Sequence, residues 1–147
     1  MWLRPSTARI FAKCLNCVEG PTTKPCNECD VCNAVSVGED VDVLELADNT
    51  AWHILSWPEL LGFCEPGQAD WMLENGELDI DGTLAVNPSG GFISFGEATT
   101  AQAVLQICEL SWQLRGRADG HQVRNARVGM SAVLGLGANG GSVILKV

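Results

Sequence analysis

Four of the chain's seven cysteines, Cys17, Cys26, Cys29 and Cys32, crowd into 16 residues with the spacing Cys-x8-Cys-x2-Cys-x2-Cys. A Cys-x2-Cys turn presents two sulfurs to one ion, and zinc takes four such ligands converging tetrahedrally. The last three cysteines form overlapping Cys-x2-Cys pairs, and Cys17 returns across a turn at Gly20-Pro21. Pro25 and Asn27 stiffen the approach. A segment this short and this poor in large apolar residues needs a metal to hold its shape. The spacing predicts a closed, structural zinc site; an iron–sulfur centre or reduced thiols in a loop are the alternatives. Cys14, on a predicted helix from Thr7 to Leu15, reads as a small buried apolar residue.

The number of cysteines is odd, and Met1-Trp2-Leu3-Arg4-Pro5 has no apolar run behind it, so no secretory signal is predicted. Both features favour a reducing compartment, the cytoplasm, and metal ligation over disulfides. A 46% hydrophobic composition without a long uninterrupted apolar stretch argues for a soluble globular chain with no membrane span. Its 147 residues suffice for one core and a small appendage. The net charge of −9 is uneven: residues 1–38 hold four Lys/Arg and three Asp/Glu, against five and fifteen in residues 39–147. An acidic surface of that size repels phosphates, so nucleic acid is an unlikely partner for the larger part.

The cysteine segment carries a resemblance. Ser6-Thr7-Ala8-Arg9-Ile10-Phe11-Ala12-Lys13-Cys14-Leu15-Asn16-Cys17, the remaining cysteines and Val41-Asp42-Val43-Leu44-Glu45 resemble the gamma/tau clamp-loader subunit of bacterial DNA polymerase III. In that family the zinc module follows the phosphate-binding loop of an ATPase. Here Met1-Trp2-Leu3-Arg4-Pro5 stands where the glycine-rich loop and its lysine belong, so no ATP binding or hydrolysis is expected. Residues 1–40 are accordingly read as a clamp-loader-like zinc module without the nucleotide loop.

Beyond it the pattern predicts a strand at Val41–Leu46 and a helix over Ala51–Leu61, kinked or restarted at Pro58. A loop over Gly62–Gly82 contains a short helix near Ala69–Leu73. A strand at Thr83–Val86 leads into the turn Asn87-Pro88-Ser89-Gly90-Gly91. A long helix is predicted from Thr99 or Thr100 to Arg115, stopped by Gly116, with Ala101, Leu105, Cys108 and Trp112 as a core-facing stripe widened by Val104 and Ile107. Strands at Arg127–Leu134 and Ser142–Val147 close the chain as a hairpin. The turn between them, rich in glycine from Gly135 to Gly141, has no following helix and so is no dinucleotide loop. The alternation indicates an α/β layer.

Glu59-Leu60-Leu61-Gly62-Phe63-Cys64-Glu65-Pro66-Gly67, Val86-Asn87-Pro88-Ser89-Gly90-Gly91, Trp112-Gln113-Leu114-Arg115-Gly116 and Gln122-Val123 resemble the C-terminal domain of a thiolase, of the sterol-carrier or lipid-transfer branch. The resemblance runs over 41–147 and implies a mixed sheet with packed helices. It also implies an acyl-CoA site built from Asn87, Gly90, Gly91 and Gly96, with Asp48 and Glu97 at catalytic positions. The family's Gly-His-Pro is replaced here by Gly96-Glu97-Ala98. Of its His-Asp-Cys-Phe motif, read here as Ala47-Asp48-Asn49-Thr50, only Asp48 persists. The nucleophilic cysteine belongs to the family's N-terminal half. Cys64, Cys108, His53 and His121 are read as structural residues.

Acyl transfer needs a thiolate, a base near neutral pKa and oxyanion donors, and an ionised Glu cannot donate to an oxyanion. The resemblance therefore implies a thiolase-type half without activity on its own. It binds a CoA thioester or pairs with a complementary thiolase-like chain or a second copy. The other reading is a zinc-stabilised clamp-loader fragment lacking ATPase activity. The two resemblances overlap at Val41–Leu46, where a fusion of fragments would leave a shared strand.

Overall fold

The computed structural model describes residues 13, 14, 17–20, 22–30, 32, 33, 41–98, 101–135 and 140–147. The central strand is β1 (Val43–Leu46), buried at all four positions. Its side chains alternate between two cores, as the period of two dictates. Leu44 and Leu46 join Leu78, Leu84, Met130 and Ala132 on one face, packed by Trp57, Leu61 and Met72. Val43 joins Ala85, Leu110 and Val123 on the other.

β2 (Ala85–Val86) and β3 (Val128–Leu134) flank β1 in parallel, and β4 (Gly140–Lys146) pairs antiparallel with β3, giving the order β2-β1-β3-β4. The mixed α/β sheet and terminal hairpin agree with the sequence pattern. Asp42 Oδ2 fixes the β1–β3 register by accepting the N–H groups of Arg127 (2.7 Å) and Val128 (2.8 Å).

The first face is covered by α1 (Ala51–Leu61) and α2 (Ala69–Glu74). Thr50 N–H donates to His53 Nδ1 at 3.2 Å, which satisfies one of the free donors at the start of α1. Gly62 ends the helix at φ +82°. Pro58 lies inside α1 and does not terminate it. Trp57 Nε1–H donates to Ala47 O at 2.8 Å and ties the helix to the end of β1.

After β2 comes a five-residue helix, α3 (Gly91–Phe95), absent from the sequence reading, which ran the glycine turn straight on. The opposite face of the sheet is covered by α4 (Gln102–Leu114), with Gly116 in the left-handed region just past its end. Thr99 and Thr100, the expected caps, lie outside the described residues, as does most of the Thr7–Leu15 helix.

One expectation about α4 is reversed. Its buried residues are Gln102, Gln106, Glu109, Leu110, Gln113 and Leu114, while Val104 and Trp112 of the expected core stripe are 59% and 50% exposed. The polar residues face the sheet because most of their polar groups find partners there. Gln106 Nε2–H donates to Ala132 O (3.2 Å), and Gln113 Nε2–H donates to Glu109 Oε1 (2.9 Å) and His121 O (2.8 Å). Gln113 Oε1 accepts Val123 N–H at 2.8 Å.

Candidate functional site

The four cysteines converge as their spacing requires: their sulfurs all lie within 4.8 Å of one another. Cys17 and Cys26 sulfurs are 3.6 Å apart, and those of Cys26 and Cys32 are 3.9 Å apart. Four thiolates at the usual zinc–sulfur distance sit about 3.8 Å from each other, so the donor set fits a tetrahedral thiophilic ion. Backbone N–H groups support the sulfurs: Cys26 donates to Cys17 (3.5 Å), Cys29 to Cys26 (3.3 Å) and Cys32 to Cys29 (3.4 Å). Gly20 and Asn27 supply positive-φ turns. Hydrogen bonds from Val18 and Cys32 pull the Cys29 thiol down to about 6, and one from Cys26 lowers Cys17. Burial pushes Cys32 up to about 12.

A second group of residues assembles where β1 and β2 end. Asn87 takes a positive φ of 48° and braces the turn rather than facing outward. Its Oδ1 accepts Leu46 N–H (2.6 Å), and its Nδ2–H donates to Leu46 O (3.1 Å). Asp48 is buried and accepts Phe92 N–H at 2.6 Å, anchoring the start of α3. Gly91 has a φ of +67°, and a side chain there would collide with the Asp48 carboxylate and the Asn87 amide. Gly90 sits beside Ser94, and Gly96 ends α3 at φ +89° with open space around it. Glu97 is exposed, and its carboxylate accepts a hydrogen bond from Asn49 Nδ2. Asp48, Asn49 and Gly91 thus meet around one turn, with Glu97 at its rim.

Sequence reasoning missed a third group beneath α4. Glu45 is 2% exposed on β1 and points toward the helix; its carboxylate accepts Ser89 N–H (3.3 Å) and Ser89 Oγ–H (2.8 Å). Burial pushes the Glu45 carboxyl up to about 7 despite those hydrogen bonds, and nearby Glu109 and Asp48 add to the rise. Glu109, 5% exposed, holds His121 Nε2 at 3.1 Å. Glu45, Ser89, Cys108, Glu109 and His121 share a cleft of about 230 Å³ walled by Phe95, Leu105 and Trp112. The signal in the sequence was Glu45, a charged residue where the alternation of β1 demands a buried one. His53 caps α1, as a structural residue should, whereas His121 has a charged partner that its loop position concealed. Burial and the neighbouring Glu59 and Glu65 hold the Cys64 thiol up at about 11, which leaves it a poor nucleophile.

Residues 31–146 match the family model described as thiolase C-terminal domain-like. Sterol carrier protein 2 of Rattus norvegicus is 43% identical over 98 residues, which is 67% of this chain and 18% of that protein. An acetyl-CoA acetyltransferase of Methanothermobacter thermautotrophicus is 36% identical over 108 residues, 74% of this chain and 28% of the enzyme. Among solved structures, a chain of the Ltp2-ChsH2(DUF35) aldolase superposes with a TM-score of 0.59 at 27% identity, over 74% of this chain and 27% of that one. The chain thus spans less than a third of each relative. The clamp-loader resemblance of residues 6–46 rests on sequence alone. The family match over residues 31–146 makes this chain a member of the thiolase C-terminal domain-like family.

Proposed function

We propose that this chain supplies one part of a thiolase-like acyl-CoA site, completed by a complementary thiolase-like chain or a second copy, with a structural zinc clip at residues 1–40. The observation that carries the reading is the outward-facing apolar stripe of α4. Val104, Leu105 and Trp112, with Ile93 and Phe95 of α3, stay exposed while the polar side of the helix is buried. An apolar face of this kind marks an interaction surface, here assigned to a completing chain. The solved structure it resembles is likewise named for two components, Ltp2 and ChsH2(DUF35).

Within such a site Glu97 serves as the acid/base group in place of the family's imidazole. As a carboxylate it accepts a proton from the carbon next to a thioester carbonyl, and Asn49 orients it by donating to one oxygen. Glu97 cannot stabilise an oxyanion while ionised, so donors for the thioester oxygen and the nucleophilic thiol come from the completing chain. Gly91 and Asn87 keep the backbone tight behind Asp48, Gly90 lets the turn pack against Ser94, and Gly96, with open space around it, leaves room for the pantetheine arm of a CoA thioester. One relative is named an acetyl-CoA acetyltransferase and another sterol carrier protein 2, and the acetyl-CoA of the first name suits this assignment. The cysteine cluster holds zinc and suits a reducing, cytoplasmic setting. No described helix is long and apolar enough to cross a membrane.

Isothermal titration with acetyl-CoA and with ATP tests the reading. Saturable heat with acetyl-CoA, weakened in Glu97→Gln or Gly96→Val, and none with ATP are expected. ATP binding, or acetyl-CoA binding indifferent to both substitutions, contradicts it.

A further inference from the structure

The Asn87–Gly91 turn and α3 behind it carry Gly90, Gly91 and Gly96 and lead directly into Glu97, yet α3 has only five residues. A helix that short does not hold its place by its own hydrogen bonds, so its position depends on what anchors its start. Two buried carboxyl groups, one on β1 and one just past its end, do this. Asp48 accepts the Phe92 N–H at 2.6 Å. Glu45 works one step further off, through Ser89. Its two oxygens accept the Ser89 N–H (3.3 Å) and the Ser89 Oγ–H (2.8 Å), and Ser89 Oγ in turn accepts the Gly91 N–H at 3.1 Å. The one proton of the hydroxyl is thus turned toward Glu45, which leaves its lone pairs for the first residue of α3. An ionised carboxylate suits this pattern best, because both of its oxygens accept. Protonation turns one oxygen into a donor and replaces charge-assisted hydrogen bonds by neutral ones of roughly half the strength.

We infer that Glu45 is a positioning residue of the acyl-CoA site: through the Ser89 hydroxyl, its carboxylate sets the Gly91 N–H and the α3 segment that leads to Glu97. The inference rests on the acyl-CoA reading above and adds a residue that acts there without touching the ligand. Around the carboxylate stand Glu109 and Cys108 of α4, His121 after it, Asp48 beyond β1 and, beside it on β3, the uncharged Ser131. No lysine or arginine lines the cleft among the described residues. Burial, aided by Glu109 and Asp48, brings the Glu45 carboxyl up to about 7, so the group gains and loses its proton in the neutral range. The grip on Ser89 is fullest above pH 7 and slackens as pH falls, opposite in sign to what Glu45 contributes to folding stability.

The test has two arms, both on the whole chain. In the free chain, the Ser89 and Gly91 amide NMR resonances should shift together between pH 6 and pH 8 with one midpoint near 7, and Glu45→Gln should remove that shift. In the second arm acetyl-CoA is titrated calorimetrically at both pH values. The gain in affinity from pH 6 to pH 8 should be about fivefold larger in the unaltered chain than in Glu45→Gln or Ser89→Ala. The ligand's own phosphates titrate alike against all three proteins and cancel in the comparison. A residue that merely supported the fold would lower the melting temperature without touching this ratio. Because the amide titration uses the unaltered chain, it holds even where a variant fails to fold: fixed Ser89 and Gly91 resonances overturn the inference. So does a pH dependence of affinity that Glu45→Gln leaves intact. Moving amides with no acetyl-CoA binding at either pH would uphold the hold of Glu45 on the turn and sink the acyl-CoA reading instead.

Discussion

At the scale of single residues, Glu45 shows how burial and function pull apart. Its carboxyl titrates near 7 in the folded chain and near 4.5 when unfolded, so the folded state holds the proton more tightly. The sign follows from linkage: this group's contribution is greatest below pH 4.5 and is lost as pH rises through 7, a change of roughly 3 kcal/mol at most. Urea unfolding at pH 5 and pH 8 should show that decline, and Glu45→Gln should flatten it; an unchanged pH slope in the variant would refute the assignment. Gly91→Ala is the opposite kind of test, since the left-handed backbone and the Asp48 carboxylate both exclude a side chain. It should cost about 2 kcal/mol or more, read as a fall in melting temperature together with loss of the Phe92–Asp48 hydrogen bond. A fully stable Gly91→Ala chain would mean that the turn relaxes.

Among the elements, α4 carries the most information, because the side of the helix that looks like a core is the side that faces out. Periodicity identified the helix, its end at Gly116 and its apolar stripe, yet a stripe does not say what it packs against. Gln106, Glu109 and Gln113 found hydrogen-bond partners on β3, on the Asp119–His121 turn and on one another, pairings set by tertiary distances that no local pattern encodes. The same holds for α3, whose start depends on Asp48, 43 positions before Gly91 in the sequence. By contrast β1, α1 and the terminal hairpin were legible because the patterns that mark a short strand, a helix and a glycine-rich turn are local ones. The cysteine cluster was legible because ligand spacing is itself geometry. The outward stripe makes a prediction at this scale. Trp112→Glu should change stability by less than about 1 kcal/mol and should abolish any self-association seen by sedimentation. A large loss of stability would place Trp112 in the core after all. The zinc clip makes another: one zinc per chain by elemental analysis, lost in Cys29→Ser, whereas full zinc content in that variant would remove Cys29 from the ligand set.

The whole molecule joins a four-cysteine segment to an acidic α/β domain, and the family match begins at residue 31, within the cysteine segment. If residues 1–40 are a separate clip, a chain shortened to 41–147 should keep the cooperative unfolding of the longer one, and chelation should leave the β1–β4 sheet intact. Collapse of that sheet on chelation would join the two segments into one folding unit. The exposed face of α4, the turn presenting Glu97 and the cleft beneath α4 all lie within residues 31–146, which the family model matches. The most direct measurement is thiolysis of acetoacetyl-CoA by the purified chain alone, followed by loss of absorbance of the magnesium enolate. No consumption above the uncatalysed rate is predicted, because nucleophile and oxyanion donors are to come from the covering chain. Saturable turnover by this chain alone, abolished in Glu97→Gln, would contradict the account.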